Sequence, residues 1–288
     1  MFLNGLVSNL YSFYHFHYHF SLWISLLFGN SPLIWLRMIS ALPVLAVLVT
    51  IFASWRIPPP IFWLLILGVS LPLEIFQFWL GITAIQRSPL SLVAPLASFT
   101  SIFLIPVGYL ILGELPTRLA FIGIISVVGG AFFLGWRWGE TKSILESIRN
   151  VFTEPGSYLI LIGAFLVSIS IAVLKRSFAY ASPFLTAFYI IAALAVTLTL
   201  PALLRPAALP AERRGSLFTG LSLASGLSFA LHYTGLSLLP AAYFISVKRL
   251  SLLFNVLFGG LFFREEHILE RFSGALLMVA GVVLIALG

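Results

Sequence analysis

Runs of about twenty apolar residues follow one another along this chain, punctuated by Pro, Gly and charge, and each run is long enough to cross a bilayer as a helix. They lay out ten predicted spans: about 5–28, 33–54, 61–84, 89–112 and 117–137, then 156–176, 183–204, 216–238, 240–263 and 268–287. The unbroken stretches 119–136 and 276–287 favour helices over the shorter strands of a barrel. One polar stretch, around 139–157, holds Glu140, Lys142, Glu146, Arg149 and Glu154 and reads as a linker. It separates a first five-helix half, 1–138, from a second, 156–288, with 139–155 between them. Span 1 departs from the pattern, being rich in aromatics and carrying His15, His17 and His19.

A second regularity overlies the first: residue i resembles residue i+151 without a gap. Ser31-Pro32 recurs as Ser182-Pro183, Thr83 as Thr234, Pro89 as Pro240 and Phe103 as Phe254. Gly108, Glu114, Gly123 and Gly130 recur as Gly259, Glu265, Gly274 and Gly281. Joined copies with an odd span count lie upside down relative to one another. The pattern therefore predicts an all-α polytopic membrane protein of ten transmembrane helices in two inverted-topology repeats, a design used by secondary transporters.

Composition agrees. Of 288 residues, 60% are hydrophobic and 9% charged, with a mean hydropathy of +1.09. A soluble domain carries roughly a quarter charged residues, so the bilayer is the expected solvent. The net charge of +7 comes from sixteen Lys and Arg scattered singly over short connections. With no basic face, they read as topology and snorkelling residues, and no nucleic acid is expected. Absence of cysteine excludes disulfides and thiolate chemistry. The start lacks a basic n-region and a small-residue cleavage site, so no removable signal peptide is expected. If the spans alternate, four basic residues share the side of the termini and nine the other, which favours both termini outside.

Two stretches carry a family pattern. One reads Gly81-Ile-Thr-Ala-Ile, Ser88-Pro-Leu-Ser-Leu-Val-Ala-Pro-Leu, Gly108-Tyr-Leu-Ile-Leu-Gly-Glu114, Gly123 and Gly129-Gly130. The other reads His232-Tyr-Thr-Gly-Leu-Ser-Leu-Leu-Pro240, Lys248-Arg-Leu-Ser251, Gly259-Gly-Leu-Phe-Phe-Arg-Glu265, Gly274 and Gly281. Together, at one offset, they resemble the drug/metabolite transporter superfamily, specifically its ten-helix permeases with tandem EamA-type domains. The resemblance implies a secondary permease of small metabolites, such as amino acids, with a central cavity between the halves, in a bacterial inner membrane. It also implies cytoplasmic termini, against the charge bias, and the edge goes to the family pattern.

An ionised side chain at a helix centre costs roughly 2.5–3.5 kcal/mol, so it needs a partner or water. Glu74 in span 3 and Lys248 and Arg249 in span 9 stand out. Lys248, Ser251 and Asn255 share a helical stripe, as do Ser70, Glu74, Gln77 and Gly81 on span 3. Ser225, Ser228 and His232 do so on span 8, and span 4 adds Ser98, Thr100 and Ser101. One reading is a solvated substrate cavity lined by spans 3, 4, 8 and 9. The other is a structural ion pair of Glu74 with Lys248 or Arg249, with hydroxyls bonded to their own i−4 carbonyls. Glu114 is expected to cap a helix, Lys175 to snorkel, and the paired glycines to admit close helix contact. Two histidines, His15 and His19, could share a metal, but no third ligand is apparent, so neither metal nor cofactor is expected.

The expected function is alternating-access transport, not catalysis. Lys248, with Arg249 second, would anchor a carboxylate or phosphate. Glu74 would balance that charge or carry a coupling proton. Phe78, Trp79, Tyr233 and Tyr243 would form apolar wall. A monomer suffices, since both repeats are fused. A membrane-embedded lipid-modifying enzyme and a non-transporting scaffold are the alternatives, and no phosphate-binding Gly-x-x-x-x-Gly-Lys-Ser/Thr loop points to ATP drive.

Overall fold

The computed structural model describes residues 31–88, 95–135, 154–204, 214–254 and 268–288. Among these, all regular structure is helical. Span 1 with its histidines, most of the linker, Asn255, Gly259 and Glu265 lie outside the described residues.

Helices stand where the apolar runs place them: α1 (Ser31–Phe52), α2 (Pro60–Arg87), α3 (Ala97–Leu112), α4 (Arg118–Gly135), α5 (Pro155–Ser177), α6 (Pro183–Leu204), α7 (Arg214–Leu238), α8 (Ala241–Lys248) and α9 (Ile268–Leu287). The chain is an integral membrane protein by this architecture, and its surface agrees. Leu110 is 80% exposed and Val196 74%, a cost in water that lipid removes. Within α2 the turns widen to π-helix over Leu64–Ser70. Pro72 follows, with no N–H to give the Gly68 carbonyl and a ring that crowds it, so the turn upstream opens.

The described helices fall into two compact units, each drawing on both sequence halves. The first comprises 1–71 and 177–238. In it α1 packs on α6 and α7. Met38, Ala41, Leu45 and Val49 form the buried stripe of α1. Gly226 of α7 admits Val44, since a Cβ there would stand 2.4 Å from the valine Cβ. Trp35 Nε1 donates to Thr199 Oγ1 at 3.0 Å, and the Ser222 hydroxyl to the Ser40 carbonyl.

The second unit comprises 72–176 and 239–288. Its main seam joins α4 to α9. A Cβ on Gly123 would stand 2.5 Å from the Gly281 carbonyl, and one on Gly130 2.6 Å from that of Gly274. Rising numbers on α4 meet falling numbers on α9, so the two helices run antiparallel. Glycine here lets backbones touch, which replaces the hydrophobic drive that lipid abolishes. The expectation of close glycine contact holds at these four positions but not at Gly108, where a Cβ would find only the Glu114 carbonyl, at 4.0 Å.

Candidate functional site

Glu74 sits about midway along α2, just past Pro72. Its carboxylate is held at both oxygens: Ser170 Oγ of α5 donates to Oε1 at 2.7 Å, and Gln77 Nε2 to Oε2 at 3.3 Å. Lys248, the last residue of α8, lies within electrostatic reach of it. A carboxylate and an ammonium from different spans are thus brought near one another in one unit, where each lessens the cost of burying the other.

The chain beyond Lys248 corrects the picture of span 9 as a uniform helix. The Leu250 N–H bonds the Val247 carbonyl, Leu252 that of Arg249, and Leu253 that of Leu250, all at 3.0 Å. These are i to i−3 bonds, which wind the chain to about three residues per turn. Lys248 and Ser251, three apart, approach an eclipsed arrangement, and Ser251 is buried. A similar tightened turn occurs at Ala97–Phe99, before the regular part of α3. The two turns occupy equivalent positions in the 151-residue repeat, Ala97 matching Lys248 and Ser98 matching Arg249.

Arg249 clasps the two turns together. Its Nη2 donates to the Ala97 carbonyl at 2.6 Å and to Thr100 Oγ1 at 3.3 Å. The guanidinium therefore spans from one tightened turn to the other, which bears on what it can do for a ligand. Ser98, next in sequence to that carbonyl, is fully buried.

Five hydroxyls from the expected polar stripes have no hydrogen-bond partner among the described residues: Ser98 and Ser101 in the second unit, Ser70, Ser225 and Ser228 in the first. All are buried. Back-bonding to their own helix therefore does not explain them, although Thr83 and Ser246 do bond carbonyls four residues earlier. An unpaired buried hydroxyl costs about 1–3 kcal/mol, so each of these positions calls for water or a ligand group.

The structure gathers Glu74, Gln77, Lys248, Arg249, Ser251 and Ser98 in the second unit. His232 and Tyr233 belong to the first, their rings 5.4 Å apart, with Tyr233 set against Phe178 at 6.4 Å. Trp79 departs from its expected role as cavity wall. It stacks on Phe76 on the face of α2 opposite Glu74 and is 58% exposed. The Tyr243 hydroxyl accepts the Thr117 N–H at 3.0 Å, bracing a connection instead of lining a cavity.

Lys175 and Glu114 also find partners. Lys175 Nζ meets Glu114 Oε1 at 2.5 Å and donates to the Leu239 carbonyl, so it does not simply snorkel. The second oxygen of Glu114 accepts the Ala241 N–H at 2.8 Å. The cap was expected at the start of the following helix, α4; the helix Glu114 caps is instead α8, from the other repeat, where Pro240 ends the preceding turn.

Two residues escape the sequence reading. Ser170 is hidden among ordinary serines, yet the repeat offset pairs Ser168 and Ser170 with His17 and His19, a sign that this stretch tolerates polarity. Arg37 lies five residues past Pro32 inside an apolar run. It is 9% exposed, with its guanidinium 5.0 Å from the Phe229 ring centre. Among the described residues no group of three or more His, Cys, Asp or Glu is placed to hold a metal.

Residues 154–287 match the model of a family described as the EamA-like transporter family. No curated protein matches the chain. Chains of solved structures do, 27 in number. One of them, titled "Crystal structure of protein", covers 98% of this chain and 96% of its own, with a TM-score of 0.74 and 15% identity. At that identity the likeness is one of fold.

Proposed function

We propose that this chain, whose residues 154–287 match the EamA-like transporter family, is a membrane transporter of the drug/metabolite transporter superfamily working as a secondary permease. It moves a small polar or amphipathic metabolite, such as an amino acid or related compound, by alternating access between two inverted five-helix repeats. The antiparallel crossing of α4 and α9 supports the inversion, because the glycines that meet are repeat equivalents exchanged in pairs, Gly123 with Gly281 and Gly130 with Gly274.

The observation that carries the reading is the Glu74 cluster. Membrane spans avoid charge unless it is used, and here a carboxylate held by Ser170 and Gln77 stands within reach of Lys248. Lys248 serves as the anchor for an anionic substrate group, with Glu74 as its counter-charge when the site is empty. Arg249 fixes the tightened turn that presents Lys248. Ser98 and Ser251 line the path beside them, and protons are the candidate coupling ion. The protein works as a monomer in a bacterial inner membrane.

A thermal-shift screen of the purified protein against a metabolite panel identifies ligands, because binding raises stability by mass action. Counterflow of each hit in proteoliposomes then measures transport. Lys248→Ala is expected to abolish counterflow while its melting midpoint and helix content match the wild type, with Lys248→Arg partly restoring activity. Wild-type transport by Lys248→Ala would remove the lysine from the mechanism. Loss of its fold would make it a structural residue.

A further inference from the structure

Between the end of α3 and the start of α4 lies an open groove of about 450 Å³, lined by Ile105, Leu115, Pro116, Arg118, Phe121 and Ile122. Five of the six side chains are apolar, and Leu115, Phe121 and Ile122 are 66%, 46% and 55% exposed. The groove belongs to the second unit and follows the first turns of α4 from the membrane edge inward. Arg118, the first residue of α4, stands exposed at its outer end.

Among the described residues the charge there makes no ion pair, although Gly288 packs close by against Thr117 and Ala120. The acid closest in sequence is Glu114, four residues earlier and suitably spaced to pair. Both its oxygens are already engaged, one with Lys175 and the other with the Ala241 N–H. No carboxylate among the described residues meets Arg118. A cation at the mouth of an apolar channel matches an anionic phospholipid in two respects: a phosphate whose charge no headgroup cation offsets for the guanidinium, and acyl chain for the wall.

We propose that this groove is a binding site for an anionic bilayer phospholipid, with the headgroup phosphate on Arg118 and one acyl chain along Phe121 and Ile122. The repeat equivalents of Arg118 and Ile122 are Leu269 and Ser273, so the pattern that recognises the lipid exists in one half only.

Native mass spectrometry of the full chain in detergent, titrated with phosphatidylglycerol or phosphatidylcholine of identical acyl chains, tests the site. Phosphatidylglycerol is expected to bind more tightly. Arg118→Gln should weaken it about fivefold, the weight of one basic side chain at an anionic surface, and bring it to the level of phosphatidylcholine. Arg118→Lys should keep the preference. Ile122→Trp, which fills the groove, should weaken both lipids. Arg87→Gln, at another exposed arginine, should change nothing. Equal binding of the two lipids by the wild type, or an unchanged preference in Arg118→Gln, would overturn the proposal. So would loss of the preference in Arg87→Gln, which would mark a general attraction to positive charge. No transport is measured, so the outcome is independent of the permease reading.

Discussion

Glu114 and Lys175 stand in sequence as two ordinary charges near membrane edges, and the structure makes them a brace between α3, α5 and the start of α8. Both are partly shielded, with side chains 26% and 13% exposed. Glu114→Gln keeps the shape but weakens an ionic pair and a charged cap. It is expected to destabilise by about 1–2 kcal/mol, read as a lower melting midpoint in detergent. Combined with Lys175→Met, the loss should be less than the sum of the two single variants, because they remove one shared contact. Additive losses would show that the pair contributes nothing as a pair. The stripe Glu74–Gln77 and the charge of Lys248 were legible as polar groups in an apolar setting. Ser170, which makes the short bond to Glu74, was not, because a serine is common in membrane helices whether or not it meets a carboxylate. Arg37 also escaped that reading, and its ring partner Phe229 comes from another helix.

Along most described spans the helix ends followed the sequence, since bilayer thickness fixes the length of an apolar run, but span 9, expected over 240–263, stops being a regular helix at Lys248. The interiors of the helices did not follow so simply. The tightened turns at Ala97–Phe99 and after Lys248 carry no glycine, and each lies where the Arg249 guanidinium reaches across from α8 to α3. Their shape is a tertiary effect. The glycine seam, by contrast, was visible from spacing. Gly123→Ala is expected to destabilise by about 1–3 kcal/mol or more, since the new methyl meets backbone, which no rotamer change relieves. Gly129→Ala, whose Cβ would find Leu277 Cδ2 at a comfortable 3.6 Å, should be nearly neutral. Thermal unfolding of the two variants side by side decides it. Equal stability would deny that α4 and α9 depend on backbone contact.

The proposed inversion makes its own demand on the molecule: equivalent loops would lie on opposite sides of the membrane. The chain has no cysteine, so single cysteines can report this without interference. Ile57→Cys and its repeat equivalent Ala208→Cys are expected to react with an impermeant maleimide from opposite faces of sealed vesicles, and labelling of both from one face would refute the inversion. By itself the sequence determined the solvent, the helical class, the place of most described helices and the 151-residue repeat. Each of these follows from composition and periodicity, which are properties of residues in order. The tertiary structure alone decided that Glu114 caps α8, that Ser170 holds Glu74, and that Arg249 ties two turns together. Such pairings join residues far apart in the chain, and in a chain this rich in serine, glycine and apolar side chains many partners have the same chemistry. Packing chooses among them.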